Sequence, residues 1–156
     1  MTNFKKLPGI QLFSLKGKSA IITGGSKGLG FAMAAGLASA GANVMLVARN
    51  QEECEQSAKE IAEEYQVKAI GFSADVTQGD QMNAMAAKAL ESFGSIDILI
   101  NSAGINIRGA IDELTEEDFK KVMDINVNGT WLASKAVISQ MKNQKKGSII
   151  NLASTL

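Results

Sequence analysis

The chain has 156 residues, of which 46% are hydrophobic, and this is enough for one domain with a buried core. Sixteen Lys and Arg balance sixteen Asp and Glu, so neither nucleic acid nor an anionic membrane surface is expected as a partner. The single cysteine, Cys54, excludes an intrachain disulfide, and the lack of histidine excludes most hydrolase triads and histidine-based zinc sites.

Residues 1–23 contain no apolar run long enough for a signal peptide core or a membrane span. A lone cysteine also fits a reducing compartment better than an oxidising one. We therefore expect a soluble, cytoplasmic protein that has no membrane partner.

Short apolar runs alternate along the chain with longer stretches of helical period. The runs predict buried parallel strands at residues 19–23, 43–48, 68–73, 96–101 and 147–153. Five such alternations, with no internal boundary, predict one α/β domain over residues 1–156. We expect a doubly wound parallel sheet of about five strands between two helix layers, a three-layer α/β/α arrangement.

Apolar stripes at three- and four-residue steps mark the helices between the strands. One stripe comprises Cys54, Ala58, Ile61, Ala62 and Tyr65, which places Tyr65 in the core. A long helix is predicted from about Thr115 to Met141. Its stripe places the amide of Asn126 toward the interior, where it needs hydrogen-bond partners, and comprises Phe119, Val122, Met123, Asn126, Thr130, Ala133, Ser134 and Val137.

A glycine-rich segment, TGGSKGLG, joins the first strand to the first helix at residues 23–30. Glycines here bring the backbone close to a ligand, and the free amides at a helix start bind phosphate. Gly24 and Gly28 permit conformations and approaches that a side chain would block, while Gly30 lets the helix pack on the sheet. The spacing matches neither G-x-G-x-x-G nor the P-loop, which disfavours an NTPase.

The glycine segment resembles the cofactor loop of the short-chain dehydrogenase/reductase family. Four further segments resemble motifs of that family in the same order: Asp75-Val76, NSAG (101–104), INVNGT (125–130) and GSIINLAS (147–154). The resemblance implies a Rossmann-like fold and a nicotinamide dinucleotide as cofactor. The cofactor residues implied are Thr23, Gly24, Ser26, Lys27, Gly28, Leu29, Gly30, Asp75, Val76, Asn101, Ser102, Ala103 and Gly104. Ser102 departs from the family's second asparagine, but its hydroxyl still donates and accepts.

The residues after the second strand indicate which dinucleotide binds. An NAD enzyme needs an acidic residue there for the ribose 2′-hydroxyl, whereas this chain has Arg49. Arg49 and Lys27 can pair with a 2′-phosphate, so NADP is predicted and NAD is less expected. The alternative for both cations is solvated surface charge. Asp75 also has an alternative role, because Asp75 or Thr77 can cap a helix beginning near Gln78.

The resemblance implies two catalytic residues. Ser154 occupies the place of the family's serine, which hydrogen-bonds the substrate oxygen, and Asn126 that of the asparagine, which anchors a water relay. The family's Tyr-x-x-x-Lys acid–base pair belongs about a dozen residues further on and is absent. Tyr65, the only tyrosine, lies elsewhere in the fold. We therefore expect a chain that lacks the C-terminal part of the family fold and is catalytically incomplete.

Three explanations compete for this incompleteness: a deletion or frameshift product, a fragment of a longer enzyme, and a binding domain without turnover. The first two explanations are favoured because Asn126 and Ser154 would have no role in a domain that only binds a dinucleotide. Cofactor binding without carbonyl reduction would instead favour a non-catalytic dinucleotide-binding or assembly module. An S-adenosylmethionine methyltransferase fits poorly, because the acidic residue expected after the second strand is missing.

The partners expected are a small-molecule carbonyl or alcohol substrate and further copies of the chain. AGINIRG (103–109) resembles the matching stretch of gluconate 5-dehydrogenase-like members of the family, which points to a sugar acid. Arg108 can pair with a substrate carboxylate or be solvated. An uncovered apolar face on the long helix, including Trp131, predicts self-association. The resemblance implies a homo-oligomer, with a dimer or tetramer expected for an intact enzyme.

Overall fold

The computed structural model describes residues 9–154. Residues 1–8, which belong to the N-terminal segment considered above, and the last two residues lie outside the described part. After a 3-10 turn at Gly9–Phe13, strands and helices alternate. The strands are β1 (Ser19–Thr23), β2 (Asn43–Ala48), β3 (Ala69–Ser73), β4 (Ile98–Asn101) and β5 (Ser148–Asn151). The helices are α1 (Gly28–Ser39), α2 (Gln51–Tyr65), α3 (Gly79–Phe93), α4 (Glu116–Met123) and α5 (Gly129–Gln144).

All five strands form one parallel sheet in the order β3-β2-β1-β4-β5. The chain first adds strands on one side of β1 and then crosses to the other side with β4. Because β1 lies between β2 and β4, the loops that follow β1 and β4 diverge at the carboxyl ends of these strands. A crevice is left between the two loops. This topology confirms the predicted Rossmann-like, doubly wound fold.

The sheet separates two hydrophobic cores. Alternate strand residues face opposite sides, so Ile21 lies in the core formed with α3 and α5, and Ile22 in the core formed with α1 and α2. Met82 and Val137 are fully buried on the first side, and Ile61 is buried on the second. The three-layer arrangement is therefore as predicted.

The predicted strand bounds agree fully for β1 and β2, which, like β4, are buried along most of their length. For the two edge strands the prediction of burial is wrong: no residue of β3 is fully buried, and in β5 Ser148, Ile150 and Asn151 are exposed and only Ile149 is half-buried. The reason is their place at the sheet edges, where each strand has one neighbour, β2 for β3 and β4 for β5. Tyr65 is also not a core residue, because it ends α2 and is 36% exposed.

The predicted long helix consists of α4, a π-helical turn at Asp124–Asn128, and α5. It begins with a capping box in which Thr115 and Asp118 bond reciprocally. The predicted buried stripe is wrong in its first half, where Phe119 is 65% exposed, since α5 is the part that packs against α3 and β4. No helix within residues 9–154 is long and apolar enough to cross a membrane.

At the amino edge of the sheet, the carboxylate of Asp97 is almost completely buried and joins three strands. Its Oδ1 accepts from Lys18 Nζ (3.1 Å) and lies 3.3 Å from Lys146 Nζ, while its Oδ2 accepts from Ser95 Oγ (2.7 Å) and Ser19 N (3.1 Å). Burial alone would raise the pKa of Asp97. The hydrogen bonds and positive charges around the carboxylate outweigh this effect of burial and lower the pKa of Asp97 to about 2.

Candidate functional site

A cleft of about 260 Å³ opens at the carboxyl edge of the sheet, at the crevice beside β1. Many of the predicted cofactor residues line it, namely Gly24, Ser26, Lys27, Arg49, Asp75, Val76, Ser102, Ala103 and Gly104. The sequence prediction did not include the apolar part of its wall, which consists of Val47, Ala48, Ala74, Ile105 and Ile125. Their position at strand ends or directly beside the motifs is the signal that could have identified them.

The glycine segment fits closely against the loop that follows β4. Gly24 has φ +66°, and a Cβ placed there would lie 2.8 Å from the amide nitrogen of Ala103. Gly28 has φ +58° at the start of α1 but has open space around it, so its conformation is what requires glycine. The two predicted reasons for glycine, conformation and close approach, therefore both apply in this segment.

Gly30 and Gly25 have tighter surroundings than the sequence indicated. A Cβ on Gly30 would overlap the carbonyl oxygen of Gly24, so Gly30 permits the turn to close on itself rather than the helix to pack on the sheet. The glycine in contact with the sheet is Gly25, where a Cβ would lie 2.7 Å from the carbonyl oxygen of Ile22. The role predicted for Gly30 is therefore wrong, and the sequence did not indicate that Gly25 is the glycine that contacts the sheet.

The first turn of α1 begins directly after Lys27, a residue that lines the cleft. Lys27 is the N-cap residue and makes no side-chain capping bond, and the turn contains no acidic residue. Leu29, in this turn, has an exposed side chain. Free amides at a helix start carry partial positive charge, so this end can hold a phosphate group.

Thr23 connects β1 to the loop after β4 rather than lining the cleft. Its Oγ1 accepts from the amides of Ser102 (3.2 Å) and Ala103 (3.3 Å) and donates to the carbonyl of Ile100 (3.5 Å). These bonds hold the start of the NSAG segment against the glycine segment. The contacts give Thr23 a positioning role at the carboxyl ends of β1 and β4.

The buried side chain of Asn101 joins β4, β5 and α5. Its Nδ2 donates to Asn151 Oδ1 (2.9 Å) and Ser134 Oγ (3.1 Å), while its Oδ1 is the one buried side-chain oxygen in the described residues without a hydrogen-bond partner. Ser134 Oγ in turn donates to the carbonyl of Thr130, and Thr130 Oγ1 to that of Asn126. A continuous polar path therefore runs from the sheet to the π-helical turn.

Asp75 and Val76 follow β3 at the rim of the cleft. Asp75 does not cap α3, since Gln78 is the N-cap residue; its Oδ1 instead accepts from the amide (2.9 Å) and hydroxyl (2.8 Å) of Thr77. Val76 packs closely on Gly129, where an added Cβ would lie 2.6 Å from Val76 Cγ2. The capping alternative is thus wrong for Asp75, and the predicted adenine contact stays a prediction.

Asn126 lies in the π-helical turn, and its side chain is bound to the loop after β4. Its Oδ1 accepts from Ile105 N (2.8 Å) and its Nδ2 donates to Ile105 O (2.9 Å). The expectation that this amide needs hydrogen-bond partners is confirmed. The partner itself was not foreseeable, because Ile105 lies in a segment without helix or strand.

Ser154 follows β5 at the same carboxyl edge of the sheet and is exposed. Arg108 is exposed as well, in the loop between β4 and α4, and it does not line the cleft. The structure thus brings nine of the fourteen predicted cofactor residues together around one cleft, with Asn126 bound to its wall at Ile105. The other five do not line it, namely Thr23, Gly28, Leu29, Gly30 and Asn101. The catalytic roles of Asn126 and Ser154 stay predictions.

Comparison with known proteins identifies the family. The family model described as short chain dehydrogenase matches residues 18–156. The 2-dehydro-3-deoxy-D-gluconate 5-dehydrogenase of Formosa agariphila is 38% identical over 147 residues, covering 94% of this chain and 56% of that protein. A short-chain type dehydrogenase/reductase from Mycobacterium marinum superposes with a TM-score of 0.88 at 38% identity, covering 93% of this chain and 59% of that one.

L-Sorbose reductase from Gluconobacter frateurii, solved in complex with NADPH and L-sorbose, has a TM-score of 0.86 at 31% identity, with 92% of this chain and 54% of that one covered. The chain therefore spans somewhat more than half the length of these relatives. The resemblance seen in five sequence segments, the parallel sheet and the family match all agree. The chain belongs to the short chain dehydrogenase family, a family of oxidoreductases.

Proposed function

We propose that residues 1–156 form a dinucleotide-binding domain that binds NADP(H). The observation that carries the proposal is the cleft beside β1, where Gly24 and Gly30 leave no room for a Cβ and α1 begins without a side-chain cap directly after Lys27. Such a cradle fits a pyrophosphate, which needs close backbone approach and free amides. The NADPH complex of the related L-sorbose reductase supports the same cofactor.

Each part of the cleft then has a proposed role. Main-chain amides at residues 24–30 hold the pyrophosphate, and Asp75 and Val76 contact the adenine. Lys27 and Arg49 lie on the rim and bind the 2′-phosphate, a group that pairs well with guanidinium. Ser102, Ala103 and Gly104 border the nicotinamide side, and the buried Asn101 next to them joins β4 to β5 and α5. A dinucleotide held by these residues would supply a hydride to a carbonyl, or accept one from a secondary alcohol.

Ser154 is proposed to donate a hydrogen bond to the substrate oxygen. Asn126 is proposed to hold the loop at Ile105 in place and to present its polar groups near the reacting oxygen. A proton donor is also required as the hydride arrives, and the sequence contains no Tyr-x-x-x-Lys. We therefore propose that these 156 residues bind the dinucleotide without measurable turnover.

The proposed substrate class is a small polyhydroxylated compound, such as a sugar acid or a ketose. Two relatives support it by their names, a 2-dehydro-3-deoxy-D-gluconate 5-dehydrogenase and an L-sorbose reductase. Residues AGINIRG, at 103–109, support it by resemblance. Arg108 is exposed in that loop and is proposed to pair with a substrate carboxylate.

Calorimetric titration of the 156-residue chain with NADPH and NADH tests the proposal. We expect a single site that binds NADPH more tightly than NADH, together with an increase in the unfolding temperature in saturating NADPH. A folded chain that gives neither heat nor thermal protection with either dinucleotide would rule out the proposed function.

Replacing Arg49 by aspartate is expected to weaken NADPH binding about tenfold to a hundredfold and to leave NADH binding unchanged or tighter, since aspartate can accept from the ribose 2′-hydroxyl. A charge-assisted contact with the 2′-phosphate contributes about 1.5–3 kcal/mol, and aspartate in its place repels that group. The measurement is the ratio of the two dissociation constants. Arg108→Asp is the matched control, since it makes the same charge change at the chain's other arginine; an equal loss of NADPH affinity there would contradict the assignment.

The second candidate function is an assembly module, which one observation favours. Exposed apolar side chains follow one face of the α4–α5 helix, namely Phe119, Met123, Val127, Trp131 and Ile138. Lys135 lies between Trp131 and Ile138, with its Nζ 4.7 Å from the centre of the Trp131 ring, and exposed apolar patches of this kind are typical of a protein interface. We therefore propose that the chain forms a homo-oligomer, either a dimer or a tetramer, through this face.

Replacing Trp131 by aspartate is expected to shift the chain toward the monomer. Trp131 is 55% exposed at the middle of this face, and a charge there opposes burial of the face in an interface. Sedimentation velocity at several protein concentrations measures the change. A native chain that remains a monodisperse monomer would contradict the proposed assembly.

A further inference from the structure

Glu53 is an acidic residue beside the cleft that none of the proposed roles includes. It lies in the first turn of α2, the helix that follows Arg49. Its Oε2 is 3.5 Å from Lys27 Nζ and accepts a hydrogen bond from Ser26 Oγ at 3.4 Å. Both partners belong to the glycine segment and line the cleft. A carboxylate is thus paired with one of the two cations that are proposed to receive the 2′-phosphate.

The position of this carboxylate is fixed from more than one side. Asn50 caps α2 by accepting from the amide of Glu53 (3.2 Å), and its Nδ2 donates to Glu53 Oε1 at 3.5 Å. Ser57 Oγ also donates to the carbonyl of Ser26 (2.8 Å), which ties α2 to the glycine segment. The Glu53 side chain is 44% exposed, against 80% for Lys27, so the lysine is the freer member of the pair.

The two dinucleotides place different demands on this arrangement. A 2′-phosphate between Lys27 and Arg49 must share Lys27 with Glu53, and its own negative charge is repelled by the carboxylate. A 2′-hydroxyl is neutral, so it is not repelled and Lys27 can remain paired with Glu53. Glu53 therefore opposes NADPH and leaves NADH nearly unaffected, while Arg49 favours NADPH.

We propose that Glu53 is a specificity-determining residue that limits the preference for NADPH by competing with the 2′-phosphate for Lys27. This inference rests on the proposed function of the cleft. Its consequence is a site that accepts both dinucleotides, with a preference set by the opposing charges of Arg49 and Glu53. Specificity of this kind is a difference between two affinities and arises as much from a repulsive group as from an attractive one.

Replacing Glu53 by glutamine tests the proposal on the 156-residue chain. Glutamine retains the length of the side chain and groups that can bond with Asn50 and Ser26, but it removes the charge. We expect NADPH to bind about threefold to tenfold more tightly and NADH to change by less than about twofold. The gain should shrink in high salt, because the repulsion acts between partly exposed charges.

The matched control is Glu63→Gln, which removes the same charge from α2. Glu63 pairs with Lys59 and lies ten residues further along the helix, about 15 Å from Glu53. Adenosine 2′,5′-bisphosphate and adenosine 5′-monophosphate serve as a second pair of probes, because they differ by the 2′-phosphate and lack the nicotinamide. The ratio of their dissociation constants should move with Glu53→Gln and not with Glu63→Gln.

The outcomes separate the two proposals. If the native chain binds both dinucleotides and Glu53→Gln leaves the ratio of their dissociation constants unchanged, the role of Glu53 is wrong and the proposed function stands. If no nucleotide binds to the folded native chain, the proposed function fails and the role of Glu53 fails with it. Thermal unfolding of each variant confirms that the comparison is between folded proteins.

Discussion

Replacing Gly30 by alanine is expected to weaken NADPH binding about tenfold to a hundredfold and to lower the free energy of unfolding by about 1–2 kcal/mol. The added Cβ would overlap the carbonyl oxygen of Gly24 and lie 2.8 Å from its carbonyl carbon. Both atoms belong to the backbone, so the glycine segment itself must shift. The amides proposed to hold the pyrophosphate shift with it.

Two effects oppose each other in this variant. Alanine favours a helix over glycine by about 1 kcal/mol, which alone would stabilise α1. Overpacking against a fixed backbone costs about 1–3 kcal/mol and occasionally more. We expect the overlap to prevail, because Gly24 is itself held close to the amide of Ala103 and has little room to move.

Gly36→Ala is the matched control for Gly30→Ala, since Gly36 lies in the same helix and a Cβ there meets no atom within 4 Å. This variant should gain stability by about 0.5–1 kcal/mol and bind NADPH as the native chain does. Urea unfolding and NADPH titration of both variants provide the comparison. Similar behaviour of the two would show that the glycine turn is not sterically constrained.

The fold could be predicted from the sequence where local pattern and tertiary environment agree. The runs that form β1 and β2 are apolar on both sides because each strand has two neighbours and a helix layer on either face. The same pattern in β5 predicts burial, yet Ile150 is exposed. Apolar pattern does not report how many neighbours a strand has, so an edge strand cannot be told from a central one.

The motifs that form the site could be predicted from the sequence, whereas most side-chain contacts between those motifs and other segments could not. The glycine segment, Arg49 and the NSAG segment come together at the cleft because strand ends of a parallel sheet meet at one edge. The contact between Glu53 and Lys27 joins α2 to the glycine segment, and nothing in either segment alone indicates it. The bonds between Asn126 and Ile105 likewise depend on how a loop folds over a helix.

Asp97 is a buried polar residue that the sequence pattern did not predict, because residues 96–101 read as an apolar strand. A lone acidic residue between Ile96 and Ile98 was the available signal, because a buried carboxylate requires donors. Those donors come from the residues before β1, β4 and β5, which approach one another only in the folded sheet. The identity of the donors was therefore beyond sequence reasoning.

Replacing Asp97 by asparagine is expected to lower the free energy of unfolding at pH 7 by about 2 kcal/mol. The carboxylate is only 5% exposed and holds Lys18 and Lys146 at the amino edge of the sheet. Removing one partner of a fully buried ion pair costs about 3–5 kcal/mol. The cost here is smaller because both lysines are partly exposed and regain water when the carboxylate is lost.

The same variant is expected to remove one component of the pH dependence of stability. The pKa of Asp97 is about 2 in the folded chain and 3.8 ordinarily, so the folded state favours the ionised form. Its contribution is complete above about pH 5 and is lost as the pH falls through 4 toward 2. The difference in unfolding free energy between native chain and variant should therefore shrink over this range, as measured by urea unfolding at several pH values.

The lowered pKa values of Glu91 and Asp118 affect both proteins equally and cancel in that difference. Glu91→Gln is the matched control, because it removes a carboxylate that pairs with Lys88 on the exposed face of α3 and should change stability little. Folded Asp97→Asn should still bind NADPH normally, since Asp97 lies at the amino ends of the strands and the cleft lies at their carboxyl ends. If the difference in unfolding free energy between the native chain and Asp97→Asn stays constant from pH 7 to pH 2, Asp97 does not stabilise the sheet through its charge.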